Sequence, residues 1–377
     1  MRAMNTSSAR TPLYDWHAAH HGRIVDFAGW SMPVQYSSIV DEHQAVRTSA
    51  GLFDVSHMGR LVFEGRRAGE FLDRLLTRRV LGLAPGKIRY SLVTNERGGI
   101  LDDVLVYHLL DAQRGPFYVL VVNASNRAKI VDWLTRHGGD APDVGMSDRT
   151  LSTAMIAVQG PQALSMLQPL VAHDLNSLGY YAGATTKVDE FDALVSRTGY
   201  TGEDGCELTV PASAAVEIWE HLVARGAKPA GLGSRDTLRL EAGMPLYGHE
   251  LSEALTPLHA DLAYAVNFDG REFVGRDALL QVAASPLARR RVGLSLEGKR
   301  VPRETYGVFA AGGGGSIGEV TSGTFSPTFS KPIAMAYVDA AHAEVGTQVE
   351  VDIRGQRVAA VVTKLPFYSR PKRAAAS

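Results

Sequence analysis

The segment Asn95-Glu96-Arg97-Gly98-Gly99-Ile100-Leu101-Asp102-Asp103-Val104-Leu105-Val106-Tyr107 sets the pattern for the chain around it. It predicts a tight turn between two strands, because β-forming residues flank a turn whose two glycines can adopt positive φ. Asp102 and Asp103 fall where the outgoing strand begins. Neighbouring residues of a strand point to opposite faces, so we expect one carboxylate to face solvent and the other to face inward. Because an inward carboxylate without a cation beside it is costly, it is either hydrogen-bonded for structural reasons or kept for chemistry.

The composition is that of a globular protein with several domains. The chain has 377 residues, of which 45% are hydrophobic and 21% charged, enough for more than one core. Its 39 basic and 40 acidic residues give no basic surface for nucleic acid. Cys206 is the single cysteine, which excludes a disulfide framework and predicts a small buried thiol in a reducing compartment. No apolar run reaches the roughly 20 residues of a membrane span, and the first ten residues do not resemble a secretory signal.

Strand and helix patterns around the opening segment predict an α+β protein with a third, all-β unit. A first, discontinuous helix-on-sheet domain is expected at 11–60 and 146–270, and a second at 61–145. Five short strands predict a β-barrel or jelly-roll domain at 275–370. Residues 1–10 and 371–377 are expected to be flexible tails. Helices are predicted at 38–48, 68–76, 127–136, 162–170, 213–224 and 237–243.

Two glycine-hinged loops carry more polar side chains than a turn needs. The first is Arg197-Thr198-Gly199-Tyr200-Thr201-Gly202-Glu203-Asp204-Gly205-Cys206-Glu207-Leu208. The second, 229–236, ends at the start of the predicted helix over 237–243 and contains Arg235. Because helix N-termini favour anions, a cation there is expected to be paired or to face a ligand.

Several motifs are typical of a particular chemistry, but their surroundings in the sequence argue against that chemistry here. Asp54, Ser56 and His57 are the residue types of a hydrolase triad, but they lie within four positions and no G-x-S-x-G elbow occurs, so we expect a structural crossing between domains. The spacing between the glycine at 82 and the lysine at 87 is one residue shorter than in a phosphate-binding loop, so phosphate binding is not supported. The G-x-G-x-x-G match at 313–318 leads into a strand and not a helix, which argues against dinucleotide binding.

Three histidines of the first predicted helix, His17, His20 and His21, share one helix face. Such a group could hold a metal ion. No carboxylate or cysteine completes a ligand set nearby in the sequence, so we expect a surface cluster and no metal site.

Taken together, the motifs resemble the aminomethyltransferase (T-protein) family of the glycine cleavage system. The resemblance covers the chain from Thr11 to about Tyr368, and its specificity lies in the ordered set. The matching segments are Thr11-Pro12-Leu13, Asp26-Phe27-Ala28-Gly29-Trp30, Phe53-Asp54-Val55-Ser56-His57-Met58-Gly59, Gly98-Gly99-Ile100-Leu101-Asp102-Asp103, Ser196 to Gly205, Gly231-Leu232-Gly233-Ser234-Arg235-Asp236 and Thr321-Ser322-Gly323.

The resemblance implies a three-domain cloverleaf with tetrahydrofolate in its central hole. It implies that the aminomethyl group on the lipoyl arm of H-protein passes to tetrahydrofolate, giving 5,10-methylenetetrahydrofolate, ammonia and the reduced arm. Tetrahydrofolate is then a cosubstrate, lipoylated H-protein is the partner, and no metal, nucleotide, nucleic acid or membrane is required. Bacterial cytoplasm and mitochondrial matrix both suit the family, and the lack of a transit peptide favours the former.

The resemblance also assigns site residues. It implies that Asp103 is the catalytic carboxylate and Asp102 its structural neighbour. A fixed anion suits that role because loss of ammonia or thiol from an S-aminomethyl group generates a cationic iminium. A carboxylate at Glu207 suits the pterin, whose edge offers adjacent N–H donors. The implied folate-binding residues are Tyr90, Asn123, Tyr180, Tyr200, Glu207, Arg235 and Tyr368.

Two alternatives remain open at this level. A folate-dependent demethylating or iron–sulfur-assembly relative shares the fold, although the chain has no room for a fused flavin domain and keeps the paired aspartates. A non-catalytic folate-binding regulatory protein would bind tetrahydrofolate but release no ammonia from aminomethylated H-protein.

Overall fold

The structure, a computed structural model, describes residues 8–111 and 115–371. Its helices are α1 Tyr14–Ala19, α2 Ile39–Thr48, α3 Ala68–Leu75, α4 Arg127–Leu134, α5 Ala163–Leu167, α6 Ala215–Ala224, α7 Leu232–Glu241 and α8 Arg276–Ala283. Its strands are β1 Ala9–Arg10, β2 Arg23–Phe27, β3 Trp30–Gln35, β4 Gly51–Asp54, β5 Gly59–Phe63, β6 Lys87–Thr94, β7 Ile100–Asp111, β8 Gly115–Val122, β9 Met146–Asp148, β10 Thr153–Gln159, β11 Gly183–Val188, β12 Phe191–Ser196, β13 Gly205–Pro211, β14 Lys228–Pro229, β15 Arg289–Leu296, β16 Gly307–Ala310, β17 Ser316–Ser326, β18 Lys331–Asp339, β19 Gln348–Ile353 and β20 Gln356–Thr363.

A six-stranded sheet, in the order β11-β12-β13-β10-β4-β14, forms the first helix-on-sheet unit. Its central strands are apolar on the face that α5 and α6 cover. Trp219 of α6 is fully buried in this core, beside Ile156 of β10 and Leu208 of β13. A three-stranded sheet, β1-β3-β2, precedes it in the chain.

The second unit is a five-stranded sheet in the order β6-β7-β8-β5-β9. Helices α3 and α4 cover one face, where Leu72 and Ile130 are fully buried. The other face packs on the first sheet through a shared apolar layer that includes Phe53, Tyr107 and Met155. The sheet extends through β5 and β9, a few residues beyond the predicted span 61–145 on each side.

The third unit is a closed barrel in the order β15-β18-β17-β16-β19-β20, filled by aliphatic side chains such as Leu294 and Val351. The α+β class with a C-terminal barrel is therefore confirmed. The barrel has six strands where five were predicted, because β16 is only four residues long and follows a stretch without alternation. The glycine run before β17 belongs to the β16–β17 connection, where Gly312 and Gly313 have positive φ.

Two expectations about elements need correction. Ala9 and Arg10 are not part of a tail, because they pair with Trp30 and Ser31 of β3. The remaining tail predictions, 1–7 and 372–377, lie outside the described residues. Helix α7 begins at Leu232 and not at 237. The glycines at 231 and 233 predicted a loop, but they fit at the start of the helix because it packs closely on its neighbours there.

A membrane span would need a long apolar helix, and the part of the chain that the structure describes contains none.

Candidate active site

The turn between β6 and β7 is built by one asparagine and two glycines. The side-chain oxygen of Asn95 accepts hydrogen bonds from the backbone N–H groups of Arg97 and Gly99, each at 3.0 Å. Gly98 has a φ of +78°, which disfavours any other residue. A Cβ on Gly99 would lie 2.1 Å from the carbonyl oxygen of Glu253. The sequence therefore determines the turn, and the turn places the two aspartates at the start of β7.

Asp102 and Asp103 lie on opposite faces of β7, as strand alternation requires. The expectation that one of them faces solvent is wrong. Asp102 is 0% exposed and accepts hydrogen bonds from the backbone N–H of Asn123 at 3.0 Å and from Nδ2 of Asn126 at 2.6 Å. Asp103 lines a cavity. The amides at the start of α4 replace water around Asp102, which is why its burial is tolerated.

One amide group connects the two carboxylates. Nδ2 of Asn123 donates to Oδ1 of Asp102 at 2.8 Å and to Oδ1 of Asp103 at 2.7 Å. The hydroxyl of Tyr90 donates to Oδ2 of Asp103 at 3.2 Å. Burial raises the pKa of both carboxyl groups, and the charge of Asp103 raises that of Asp102 further. A raised pKa brings Asp103 closer to the neutral pH at which a carboxyl group can both accept and return a proton.

The cavity in front of Asp103 has a volume of about 720 Å³. This size lies within the range of small-molecule sites. The structure brings six of the eight predicted site residues to its wall: Tyr90, Asp103, Asn123, Tyr200, Glu207 and Arg235. These residues come from β6, β7, the loop after β8, the loop before β13, β13 itself and α7, so only the tertiary fold brings them together.

An acidic and a basic group face the same space on the far wall. Oε2 of Glu207 accepts a hydrogen bond from the hydroxyl of Thr198 at 2.5 Å, and burial raises the pKa of this carboxyl. The guanidinium of Arg235 lies 4.8 Å from the centre of the Tyr200 ring, and its Nη1 is buried without a partner. Among the described ion pairs none joins Arg235 to an acid, so the guanidinium and the carboxylate remain available to a bound molecule.

Two predicted aromatic residues lie elsewhere. Tyr180 is 50% exposed and packs against Arg370, whereas its neighbour Tyr181, which has a φ of +56°, lines the cavity. Tyr368 lies outside the cavity wall, where its hydroxyl donates to Oε1 of Glu203 at 2.6 Å. The ring of Tyr368 also packs on a guanidinium of α2. Its contacts hold the end of the chain on the first domain.

Sequence reasoning missed three tyrosines and a histidine at the cavity: Tyr181, Tyr247, Tyr264 and His57. Tyr264 lies 6.3 Å from Tyr90, ring centre to ring centre. Tyr247 donates a hydrogen bond to the carbonyl oxygen of Ile100. The sequence carries little indication of these tyrosines, because they lie in or beside irregular segments in which no hydrophobic periodicity marks an inward face.

The residues of the candidate hydrolase triad do not form one. Asp54 accepts hydrogen bonds from the hydroxyl of Thr11 at 2.6 Å and the backbone N–H of Ser56 at 2.9 Å, and it pairs with Nε2 of His17 at 2.9 Å. None of these contacts involves His57. The prediction of a surface histidine cluster is wrong for His17, which is 0% exposed, because Asp54 provides a buried partner that is distant in sequence.

Cys206 is fully buried, and burial raises the pKa of its thiol to about 12. Residues 8–111 and 115–371 contain no group of three or more histidine, cysteine and acidic side chains arranged to hold a metal ion.

Comparisons with known proteins agree with this fold. Two family models match the chain, the GCVT N-terminal domain over residues 13–270 and the glycine cleavage T-protein C-terminal barrel domain over residues 289–369. An aminomethyltransferase of Rubrobacter xylanophilus is 50% identical over 364 residues, 96% of this chain and 95% of that protein, and one of Streptomyces coelicolor is 49% identical over 98% and 100%. The crystal structure of glycine cleavage system aminomethyltransferase T from Bartonella henselae has a TM-score of 0.89 at 36% identity, covering 96% of this chain and 98% of that one. The chain therefore belongs to the glycine cleavage T-protein family.

Proposed function

We propose that this protein is an aminomethyltransferase that passes the one-carbon unit of an aminomethyl group, carried on the lipoyl arm of H-protein, to tetrahydrofolate. The carboxylate of Asp103, held by Asn123 and Tyr90 at the wall of a folate-sized cavity, is the observation that carries the proposal. Membership of the family and the relatives named aminomethyltransferase support the reaction class.

The reaction needs no covalent intermediate on the protein. The carbon of the S-aminomethyl group exchanges its bonds to sulfur and to the amino nitrogen for bonds to two folate nitrogens. The two protons that those nitrogens lose are recovered on the lipoyl sulfur and on the departing ammonia. Atoms and electrons therefore balance without an oxidant or reductant, and the protein has to orient the reactants and manage charge and protons.

Asp103 is placed for both tasks. Breaking either bond of the aminomethyl carbon develops positive charge, which a fixed carboxylate stabilises more strongly in a buried site than in water. The Asn123 amide and the Tyr90 hydroxyl orient the carboxylate before the substrate arrives. Because burial raises its pKa, the same group accepts a proton from folate more readily than an ordinary aspartate does.

Glu207, Arg235 and Tyr200 supply the recognition of folate. Oε1 of Glu207 and the guanidinium of Arg235 offer an acceptor and donors of opposite charge across one space, which suits a heterocycle with N–H and carbonyl groups on one edge. The ring of Tyr200 adds an aromatic wall. Tetrahydrofolate is the proposed cosubstrate and lipoylated H-protein the proposed partner.

The deciding experiment supplies aminomethylated H-protein and tetrahydrofolate and measures ammonia and 5,10-methylenetetrahydrofolate together. We expect both products in equal amounts, and neither when tetrahydrofolate is omitted. The alternative of a non-catalytic folate-binding protein predicts binding of tetrahydrofolate without ammonia release. That result, obtained with H-protein known to be loaded, would refute the proposed reaction and leave the binding site intact.

A further inference from the structure

His57 is a buried histidine that the mechanism above does not use. Its side chain is 2% exposed and lines the cavity, and its Nδ1 is buried without a hydrogen-bond partner. None of the hydrogen bonds of the described residues involves its Nε2. An unpaired buried polar atom costs about 1–3 kcal/mol, and such atoms are rare in folded proteins. Nδ1 bears this cost whether or not a ligand is bound, whereas Nε2 belongs to a side chain that lines the cavity and has no partner among the described residues, so Nε2 is the nitrogen that a bound molecule can engage.

The surroundings of His57 decide which partner fits. Burial lowers the pKa of the imidazole to about 4; the charge of Asp54 opposes this shift, and the charges of Arg235 and Arg60 add to it, so the ring is neutral at physiological pH. A neutral imidazole carries one proton. Nδ1 is enclosed by protein, and an unpaired N–H is rarer in protein interiors than an unpaired acceptor, so the proton belongs on Nε2. Nε2 is then a donor that a bound molecule in the cavity can reach.

Arg235 presents a second set of unused donors at the same cavity, and its Nη1 has no partner either. Glu207 is close enough to interact electrostatically with Arg235. The wall therefore presents one acceptor, Glu207, beside two sources of donors, Arg235 and His57. The edge of a reduced pterin has the complementary order, with two N–H donors followed by one carbonyl oxygen.

We propose that His57 is a specificity-determining residue that, together with Arg235, donates a hydrogen bond to the carbonyl oxygen of the reduced pterin, while Glu207 accepts from the adjacent N–H groups. This inference rests on the proposed function. It assigns to His57 a share of the rejection of pteridines that carry an amino group in place of that oxygen, because two donors would then oppose each other. Glu207 contributes the rest, because the ring nitrogen beside that amino group carries no proton for it to accept.

The test is the variant His57→Phe, which keeps an aromatic ring against Phe27, whose centre lies 5.6 Å from the imidazole, and removes both nitrogens. Binding of tetrahydrofolate and of its 4-amino analogue, tetrahydroaminopterin, is measured by calorimetry. We expect the affinity for tetrahydrofolate to fall about 10-fold, in line with one lost hydrogen bond. The affinity for the amino analogue should not fall, because the variant also removes the donor that opposes its amino group. The preference for the carbonyl compound then falls about 10-fold or more.

Two further variants separate recognition from packing. His57→Gln offers an amide donor, so we expect it to retain most of the preference for tetrahydrofolate over the amino analogue. This variant keeps the proposal testable if His57→Phe does not fold. His108→Phe is the matched control, because His108 stacks on Tyr118 at 4.5 Å and lies outside the cavity wall. It should leave the preference unchanged.

The outcomes are distinct. Equal weakening of both ligands in His57→Phe, or no weakening of either, overturns the assignment to His57. Loss of the preference in His57→Gln to the same extent as in the phenylalanine variant also overturns it. Failure of the unmodified protein to bind tetrahydrofolate at all instead refutes the proposed function.

Discussion

Replacing Asp103 with asparagine removes one negative charge from the cavity and preserves the size of the side chain. The new amide oxygen can still accept the hydrogen bond from Nδ2 of Asn123, which is 2.7 Å long in the structure. The new NH₂ group can donate to the hydroxyl oxygen of Tyr90. The substitution therefore changes charge and proton transfer while it retains the local packing.

The expected effect on stability is a gain. Burial raises the pKa of Asp103 in the folded protein above its unfolded value, so the ionised carboxylate opposes folding. Each pKa unit corresponds to about 1.4 kcal/mol. We therefore expect Asp103→Asn to raise the free energy of unfolding at pH 7.5 by about 1–3 kcal/mol. The gain is complete above the folded pKa and disappears as the pH falls to the unfolded value of about 3.9.

The expected effect on turnover is a loss. Removing a preorganised group that stabilises developing charge typically lowers kcat by about 10²–10³-fold. The affinity for tetrahydrofolate should change less than about 3-fold, because Glu207, Arg235 and Tyr200 are untouched. A gain in stability coupled to a loss of turnover is the signature of a residue retained for chemistry.

The assay measures ammonia release from aminomethylated H-protein at saturating tetrahydrofolate, beside urea unfolding at pH 7.5 and pH 4. Asp102→Asn is the matched control, because it removes the same charge from the opposite face of β7. Burial raises the pKa of Asp102 too, but its two oxygens accept three N–H groups from Asn123 and Asn126, and an amide would turn one of those oxygens into a donor that faces another donor. We therefore expect Asp102→Asn to lose stability and to lose less turnover than Asp103→Asn.

Two results would contradict this reasoning. A turnover of Asp103→Asn within 3-fold of the unmodified protein would remove the role given to its charge. A loss of stability at pH 7.5 that does not shrink at pH 4 would show that the carboxylate is a structural hydrogen-bonding group.

Three further predictions concern the wall of the cavity and the contact between domains. Glu207→Gln should weaken tetrahydrofolate binding by about 10-fold or more, measured by calorimetry, because an amide cannot accept two parallel N–H groups; an unchanged affinity would remove Glu207 from the site. Tyr181→Leu should weaken binding about 10-fold and Tyr180→Leu less than 2-fold, since only Tyr181 lines the cavity, and the reverse order would support the original assignment of Tyr180. Burial alone would raise the pKa of Glu241, but hydrogen bonds and nearby charges, of which those of His43 are the largest, lower this pKa to about 2. Its ionisation therefore stabilises the fold by about 3 kcal/mol above pH 4.5, and this contribution is lost as the pH falls towards 2. In urea unfolding, the difference in stability between the unmodified protein and Glu241→Gln should shrink between pH 4.5 and pH 2. A difference that stays constant over this range would exclude the linkage.

The sequence by itself determined the local elements of the site. The turn at Asn95 to Gly99 needs glycine for reasons that hold within a few residues, and strand alternation requires Asp102 and Asp103 to differ. The family resemblance named six residues that do meet at one cavity. Such features are predictable because neighbouring residues fix turns and faces, and because the matched segments occur in the expected order.

Only the tertiary structure decided which polar groups are paired. His17 is buried because Asp54, from another part of the chain, pairs with it. Asp102 loses its solvent because the amides of Asn123 and Asn126 reach it from α4 and the loop before it. Arg235 lines the cavity and keeps a buried nitrogen without a partner, because none of the described side chains that pack around it provides an acceptor. Hydrogen bonding and desolvation depend on distance in space, and residues separated by tens of positions in the chain determine both.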